Sequence, residues 1–394
     1  MKKIIDEKKK VTKEKETEIY KNITNHYDPG QKRPKIFCEK RIIFEPYEGS
    51  EFSHHPRIIA FKDKLYVMFS VGHLNEDDVA QHVQYCVGED FDDWSEPRVL
   101  LPPWPGEKRP MVLSPAGWYT DGETLVAYAY LYEWSEDWIV DGHRKPGSQG
   151  RIRHGLKYLT SKDGINWSKP KNLDSNFGTN HSPTRLRNKP GRLIFSGAAS
   201  HGYTDESDGI SGWKAASCFP QGYPNEEEFE NGEGVDTPSG LVGQKVGLCE
   251  GSFVELENGH LYMLLRSGTD YLWASESRDH GESWSLPRPT RFTDNRTKFH
   301  LGRLPNGKYY YVGTPDPFPP RTRHVLALSL SDNGLDYKQH FILADEQYKG
   351  KYVGLDKNGV YGYPSTTVLN GYLYTAVSIC KETQIVLRFP CDTL

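Results

Sequence analysis

A unit of about 60 residues recurs six times along the chain, and this internal repeat constrains the fold more than any other feature. Each copy has a small or polar start, an apolar strand, a tight turn and a second apolar strand. Asn-Gly and Asp-Gly pairs between alternating apolar residues are strong hairpin signals. The six turns fall near Asp63, Gly122, Gly191, Gly259, Gly307 and Gly371. The pattern predicts six similar sheets, each built on a hairpin.

A second motif follows several of these hairpins. Residues 277–284, SRDHGESW, fit the pattern S-x-D-x-G-x-x-W, and residues 161–167, SKDGINW, form a version one residue shorter. GEDFDDW and SDNGLDY are degraded versions. In such a turn the aspartate accepts backbone N–H groups, the glycine takes a strained dihedral, and the aromatic ring packs between sheets. We therefore expect structural roles for Asp163, Asp279 and Asp332.

Six small sheets that cannot bury both faces alone favour an all-β fold, the six-bladed β-propeller. The composition agrees, because 37 Gly, 26 Pro, 24 Tyr and 9 Trp supply the turn formers and aromatic residues that short strands require. We assign residues 36–394 to a single propeller domain and residues 1–35 to a charged N-terminal tail. Residues 201–248, rich in Gly, Glu, Asp and Pro, are expected to form an inserted loop over one face.

Charge and hydropathy exclude several functional classes. The chain has 49 basic and 53 acidic side chains, whereas a strongly electrostatic nucleic-acid binder would be markedly basic. We expect no membrane association, because no apolar run approaches the roughly 20 residues of a membrane-spanning helix. The N-terminus has no apolar signal region, which favours a cytoplasmic location. The six cysteines show no CxxC spacing, so we expect no disulfide framework, metal site or cofactor, and the oligomeric state stays open.

The two motifs together resemble those of the sialidase superfamily, whose Asp-boxes SRDHGESW matches fully and SKDGINW nearly. The resemblance covers most of the chain after the tail. It implies a six-bladed propeller with a site for carbohydrate at the axis. The motif is specific for architecture and far less specific for substrate, because function resides in the site rather than in the fold.

The first strand of each propeller blade begins at the central axis, so the first residues of the six copies should converge on one face. Most of these residues are polar or titratable, unlike the apolar strands that follow. A pocket lined by convergent titratable groups is the default hypothesis for a functional site. The converging residues are His54, His55, Pro115, Trp118, His181, Glu250, Lys298 and Tyr363.

The resemblance implies roles for three of these positions and their neighbours. Glu250 opens EGSFVELENGHLYMLLRS, and Arg266 follows it at the spacing of the family's Glu and its substrate-binding Arg. Tyr363, in GYPSTTVLNG, lies where the family has a nucleophilic Tyr that this Glu activates. Asp78, or its neighbour Asp77, corresponds to the acid/base Asp in a loop after the first blade's inner strands.

The positions that would bind the substrate carboxylate fit the family less well. Arg321 or Arg323 is a candidate for the family's third carboxylate-binding Arg. The first blade departs from the family, because His54 stands where sialidases have the Arg of an R-I-P motif. Arg57 is close, but it follows the proline and is expected to be displaced along the strand. The substrate could then carry a uronic acid as well as a sialic acid, bound by Arg266 with Lys298 as an auxiliary.

Three functional hypotheses remain open. The first is an exo-acting glycoside hydrolase on an anionic oligosaccharide or polysaccharide, with Tyr363, Glu250 and Asp78 as catalytic groups and His54, His55 and His181 among the binding residues. The second is a polysaccharide lyase, in which a His or Tyr removes the proton next to a carboxylate that an Arg neutralises. The third is a carbohydrate-binding propeller without catalysis. A protein-interaction propeller would leave the polar axial residues unexplained.

Overall fold

The computed structural model describes residues 31–147, 150–197, 200–218 and 247–394. Within these ranges the chain forms six four-stranded antiparallel sheets in sequence order, which confirms the six-bladed β-propeller that the repeat predicts. In the same ranges, no helix is long and apolar enough to cross a membrane. Residues 1–30 of the predicted tail and 219–246 of the predicted insertion lie outside the described residues.

The strands are numbered along the chain, beginning with β1 (Glu39–Phe44). The first sheet contains β2 (Phe52–Phe61), β3 (Lys64–Gly72), β4 (His82–Gly88) and β5 (Arg98–Leu101). The second contains β6 (Val112–Thr120), β7 (Leu125–Trp134), β10 (Arg151–Ser161) and β11 (Lys171–Leu173). Between β7 and β10 lie a short 3₁₀ helix (Glu136–Trp138) and a small hairpin of β8 (Ile139–Val140) and β9 (His143–Arg144).

The third sheet contains β12 (Thr184–Arg185), β13 (Leu193–Phe195), β14 (Gly202–Thr204) and β15 (Lys214–Ala215). The fourth contains β17 (Cys249–Glu255), β18 (Leu261–Arg266), β19 (Tyr271–Ser277) and β21 (Arg288–Thr293). Two short strands, β16 (Ser217–Cys218) and β20 (Ser283–Trp284), pair in parallel between these sheets. The fifth contains β22 (His300–Arg303), β23 (Tyr309–Gly313), β24 (Leu326–Ser331) and β25 (Gln339–Ala344).

The sixth sheet joins the two ends of the chain. It contains β26 (Tyr361–Leu369), β27 (Tyr372–Ile379) and β28 (Thr383–Pro390), followed by a 3₁₀ turn (Cys391–Thr393), and β1 pairs with β28 as its outer strand. The guanidinium of Arg388 donates to both carboxylate oxygens of Glu39, at 2.8 and 3.0 Å, across this pairing. The repeat pattern missed β1, because a lone outer strand has no hairpin partner next to it in sequence.

Two predicted boundaries differ from the structure. The start of the predicted insertion is regular structure, because β14 and β15 complete the third sheet. The strands β14 and β15 are short, so the turn residues between them give the segment the composition of a loop. The end of the predicted tail also contacts the propeller, since Arg33 donates to Asp316 at 2.8 Å and the carbonyl of Pro34 accepts from Ile342 N.

The hydrophobic core lies between neighbouring sheets rather than within any one of them. Met68 of the first sheet packs with Leu131 of the second, and Val67 of the first packs with Ala376 of the sixth. Equivalent clusters join the second sheet to the third, the third to the fourth, the fourth to the fifth and the fifth to the sixth. Each sheet therefore depends on both neighbours for burial, as the repeat architecture requires.

Candidate active site

The inner strands of three sheets begin with a bulge at the propeller axis. The strand pairing shifts register just after His54 in β2, Cys249 in β17 and Gly362 in β26. His55, Glu250 and Tyr363 lie inside these bulges with positive φ angles of 59°, 49° and 57°. A left-handed backbone costs a residue with a side chain about 1–2 kcal/mol, and such strain is concentrated at functional sites. The bulges thus turn three polar side chains towards the axis.

Tyr363, Glu250 and Arg266 form a hydrogen-bonded group, although they come from β26, β17 and β18. The Tyr363 hydroxyl donates a short hydrogen bond to Glu250 Oε1. Arg266 Nη1 lies 2.5 Å from the other carboxylate oxygen of Glu250 and 3.2 Å from the Tyr363 hydroxyl. The sequence reasoning expected these three residues to meet, and the structure brings them together.

The charges of this group favour a phenol beside an ionised carboxylate. Burial works to raise the pKa of Glu250, but the Arg266 charge and the hydrogen bonds from Tyr363 and Arg266 outweigh it, so that the pKa is lowered. Burial and the negative charge of Glu250 raise the pKa of Tyr363 well above its usual value. Glu250 is therefore held as a carboxylate and Tyr363 as a protonated phenol that donates to it.

The group lies on the wall of a cavity of about 630 Å³ at the axis. Its volume is in the range of small-ligand sites. Four arginines line it, together with acidic residues from several loops. The charged lining residues are Arg57, Arg144, Arg151, Arg266, Glu76, Asp77, Glu250 and Asp356.

Arg57 lines this cavity, contrary to the expectation that it would be displaced along the strand. The bulge in β2 inserts one extra residue opposite β3, and Arg57, which follows it, lines the axial wall. Nη1 of Arg57 donates to the carbonyl of Pro56 at 2.9 Å, while its Nε has no hydrogen-bond partner among the described residues. Burial lowers its pKa to about 10, which leaves it charged at neutral pH.

Asp78 is not brought to the cavity. Its side chain is 1% exposed and points into the loop, where Oδ2 accepts from Asn75 and pairs with His143 Nδ1 at 2.8 Å. Its other oxygen accepts from the Arg144 backbone at 3.1 Å. Asp78 therefore holds the loop together, and the alternative named beside it, Asp77, is the residue that lines the cavity.

The two acidic residues before Asp78 have different environments. Asp77 has a positive φ of 63° and pairs through Oδ2 with Arg151. Both oxygens of Glu76 are engaged, one with Lys381 Nζ at 2.6 Å and the other with His55 Nε2 at 3.3 Å. Burial opposes ionisation of Glu76, but the charge of Lys381 and the neighbouring histidines hold its pKa well below the usual value.

The remaining predicted residues lie behind the cavity or outside it. His54 is fully buried, with its ring centroid 4.2 Å from that of Tyr363. His181 is buried and stacks on His300 at 5.0 Å. Lys298 is fully buried below the Tyr363 ring, 5.8 Å from its centroid, and its Nζ has no hydrogen-bond partner among the described residues.

The two arginines proposed for the third carboxylate contact differ sharply. Arg321 is exposed and does not line the cavity. Arg323 is buried, and burial together with the Arg266 charge lowers its pKa. Its Nη2 donates to the Arg296 carbonyl at 3.2 Å, so it supports the site from behind the wall.

Several cavity residues were missed by the sequence reasoning. Arg144 and Arg151 flank a segment that carries no repeat signal, and Asp356 lies in a loop before the last blade. Lys381, in the turn between β27 and β28, pairs with Glu76 from the opposite end of the chain. Only the density of charge in HLNEDD could have indicated Glu76, and nothing in the sequence indicates the other four.

Comparisons with known proteins agree with the fold. A family model for a BNR repeat-like domain matches residues 64–375. A solved sialidase is 18% identical over 93% of this chain and 35% of its own, with a TM-score of 0.63, so this chain spans about a third of that protein.

Two other solved structures match along nearly their whole length. The intramolecular trans-sialidase from Ruminococcus gnavus, in complex with oseltamivir carboxylate, is 13% identical over 89% of this chain and 97% of its own, with a TM-score of 0.59. A protein of unknown function from Dyadobacter fermentans DSM 18053 is 15% identical over 90% and 99%, with a TM-score of 0.60. The search of curated proteins gives no match. The chain thus belongs to the BNR repeat-like domain family and has a sialidase-like fold.

Proposed function

We propose that the axial cavity binds an anionic sugar and hydrolyses its glycosidic bond, with Tyr363 as the nucleophile and Glu250 as its base. The observation that carries this proposal is the hydrogen bond from the Tyr363 hydroxyl to Glu250 on the cavity wall. A carboxylate nucleophile would repel a substrate that carries its own carboxylate next to the reacting carbon. A tyrosine activated by a neighbouring glutamate avoids that repulsion.

The anionic character of the substrate follows from Arg57. The other three arginines of the cavity are paired, Arg266 with Glu250, Arg151 with Asp77 and Arg144 with Asp356. Among the described residues Arg57 pairs with no carboxylate, and it stays charged at neutral pH. A sugar carboxylate, of a sialic or a uronic acid, would neutralise this buried charge and accept hydrogen bonds from it.

Asp77 supplies the proton for the leaving group in this proposal. It lines the cavity, where its Oδ2 pairs with Arg151. Glu76 is unsuited to that role, because Lys381 pairs with it and its pKa is held well below the usual value.

The reaction then proceeds in two steps, formation and hydrolysis of a bond between the sugar and Tyr363. Tyr363 Oη attacks the anomeric carbon while its proton passes to Glu250, and the departing oxygen takes a proton from Asp77. Water, deprotonated by Asp77, then cleaves the bond between sugar and tyrosine, and Glu250 returns the proton to Tyr363.

The test is a panel of sialosides and uronides incubated with the purified protein, with products identified by mass spectrometry. Hydrolysis adds one water across the cleaved bond, and an acid quench during turnover should leave one sugar on the peptide that contains Tyr363. An unsaturated product, lacking that water, would replace hydrolysis by β-elimination. In that case the base would be Tyr363 or His55, which line the cavity, rather than His54 or His181, which do not.

The role of Arg57 is tested with the substrate that the panel identifies. We expect Arg57→Met to raise KM by about tenfold to hundredfold, the value of one charge-assisted hydrogen bond. The methyl ester of the same sugar should show no such difference between the two proteins. Arg303→Met is the control, because Arg303 lies at the outer end of β22, pairs with Glu257 and does not line the cavity. Equal KM values for the acid in wild type and Arg57→Met would reject an anionic substrate.

A further inference from the structure

His54, His55 and Glu76 place three acceptor atoms together beside the cavity, and we call them the histidine–carboxylate cluster. Nε2 of His55 lies 3.3 Å from Glu76 Oε1, and Nε2 of His54 lies 3.9 Å from the same oxygen. The three atoms all lie within 4.8 Å of one another. None of the three belongs to the hydrogen-bonded group of Tyr363, Glu250 and Arg266, although the centroid of the His54 ring lies 4.2 Å from that of Tyr363.

The protonation of both rings is set by serine hydroxyls on their far sides. His54 Nδ1 lies 2.6 Å from Ser378 Oγ, whose single proton is donated to the Gly362 carbonyl. His55 Nδ1 lies 2.8 Å from Ser70 Oγ, whose proton is donated to the His54 carbonyl. Each hydroxyl must therefore accept a hydrogen bond from the ring, so each neutral ring carries its proton on Nδ1. The lone pairs are then on the two Nε2 atoms that face Glu76.

Two lone pairs and a carboxylate oxygen repel one another unless a positive species lies between them. Histidine ligands of metal ions are held in this way, with the second nitrogen donating to a partner behind the ring. For a tetrahedral ion with bonds of 2.0–2.1 Å, ligand atoms lie roughly 3.3 Å apart. The separations of Glu76 Oε1 from the two Nε2 atoms, 3.3 and 3.9 Å, fit this with small side-chain adjustments, and the two Nε2 atoms lie within 4.8 Å of each other.

We propose that the histidine–carboxylate cluster binds one divalent transition-metal ion, of the zinc class, through His54 Nε2, His55 Nε2 and Glu76 Oε1. Two histidines and one carboxylate are a common ligand set for zinc with a coordination position left open. His55 and Glu76 both line the cavity, so the open position faces the bound sugar. A metal here would hold an oxygen of the bound sugar, a role that rests on the sugar binding proposed above and goes beyond the hydrolysis by Tyr363.

The sequence gives no ligand spacing because His54 and His55 are adjacent in a strand. Neighbouring strand residues normally point to opposite faces of the sheet. The bulge and the positive φ of His55 remove this alternation, and both rings turn to the same side, with centroids 4.5 Å apart.

The test is a calorimetric titration of the full chain, stripped with a chelator, with Zn²⁺. We expect one ion per chain. The affinity for Zn²⁺ should be about 100-fold weaker in His55→Ala and in Glu76→Gln, because even a group that only hydrogen-bonds to a metal ligand changes the metal affinity by about 10–100-fold. His143→Ala should bind as the wild type does, because its pairing with Asp78 lies outside the cluster. Binding that is equal in all four proteins would overturn the proposal, and so would no binding to the wild type.

A variant that binds Zn²⁺ more tightly than the wild type would distinguish a metal site from a loss of binding caused by misfolding. Lys381 holds the other oxygen of Glu76 at 2.6 Å, and its ammonium opposes a second positive charge nearby. Lys381→Met should therefore bind Zn²⁺ about tenfold more tightly than the wild type, because Coulomb repulsion at this distance is large. Unchanged or weaker binding in that variant, with its fold intact by circular dichroism, would assign the cluster to a proton shared between His55 and Glu76.

Discussion

The outer Asp-box turns and the axial strand ends both hold polar groups in strained backbone, but they differ in where the partners of those groups lie. Asp279 accepts from Ser277 and Ser283, within four residues, and Gly281 supplies the left-handed turn at a φ of 87°. At the axis the strained residues carry side chains, and Tyr363 bonds to Glu250 across 113 residues of sequence.

The two regions therefore have different roles, stabilisation in the outer turns and function at the axis. Every carboxylate oxygen of Asp279 is hydrogen-bonded within its own turn, so the motif stabilises the hairpin wherever it occurs. The axis instead concentrates buried groups with incomplete pairing, such as Lys298 Nζ and Arg57 Nε. Groups left in that state lower stability and persist where function requires them. Substitutions should therefore act in opposite directions in the two regions.

The largest expected effect is on turnover in Glu250→Gln. The amide cannot accept the Tyr363 proton, so kcat should fall by about 10²–10⁴-fold, the usual contribution of a general base. The matched control is Glu276→Gln, because the Glu276 side chain is equally buried at 12% exposure but pairs with His260 near the outer strand. Turnover above a tenth of the wild-type value in Glu250→Gln would exclude Glu250 as the base.

A gain of stability is expected in Lys298→Met. Removing a buried amine without a hydrogen bond should raise the free energy of unfolding by about 1–3 kcal/mol at neutral pH. Burial and the Arg57 charge hold the pKa of Lys298 well below its usual value. The unfolded chain therefore binds the proton more tightly, so wild-type stability should rise as the pH approaches 10.5 and the variant should lose this rise.

Lys357→Met is the control for that measurement by urea denaturation. Lys357 is as deeply buried, but it pairs with Glu382 at 2.8 Å, and breaking such a pair costs about 3–5 kcal/mol. A loss of stability in both variants would show that Lys298 has a partner in solution, and the contrast between axis and turns would weaken.

The pH dependence of stability between pH 7 and pH 5 should also differ between the axis and the outer turns. Burial and the nearby Lys298 charge lower the pKa of His300 to about 3, and its Nδ1 accepts from Thr366 N at 2.8 Å. Because the unfolded chain takes up the proton near pH 6.5, stability from this residue is lost as the pH falls from 6.5 towards 3. The loss should reach about 2 kcal/mol by pH 5.

His300→Asn tests this assignment, since Asn Oδ1 can accept the same hydrogen bond without titrating. Thermal unfolding of the variant should depend less on pH over this interval than that of the wild type. Parallel pH dependences in the two proteins would mean that His300 is reached by solvent.

The parts that the sequence predicts well are those whose partners are local. Hairpin turns and Asp-boxes are encoded within eight residues, and they are sufficient to predict six blades. A local pattern can still mislead, because in SDNGLDY the residue that accepts the turn's N–H groups is Asn333 rather than Asp332. A further turn of this kind, around Asp208 and Trp213, is too altered to be recognised in the sequence.

The candidate site is predicted only where a residue begins an inner strand. Glu250 and Tyr363 could be found in this way because each opens a repeat. Arg57 was discounted and Asp78 preferred to Asp77, because neither the bulge in β2 nor the loop held by His143 leaves a sequence signal. Positions fixed by a shift of one residue in register cannot be read from residue spacing alone.

The smallest expected effect is in Asp279→Ala, which removes three hydrogen bonds from an exposed turn. Because solvent replaces part of each bond, the free energy of unfolding should fall by only about 1 kcal/mol.

Asp279→Asn should retain most of that stability, since Asn333 makes the equivalent bonds in the fifth sheet, with Leu335 N and Asp336 N at 2.9 Å. Burial works to raise the pKa of Asp279, but the hydrogen bonds from Ser283 and Ser277 together outweigh it and lower the pKa. The contribution of Asp279 to stability is therefore present above pH 3.8 and lost as the pH falls below it. Kinetic constants should match the wild type in both variants, because the turn stabilises its own hairpin without contacting the axis. A change in KM with unchanged stability would show instead that the turns and the axis are coupled.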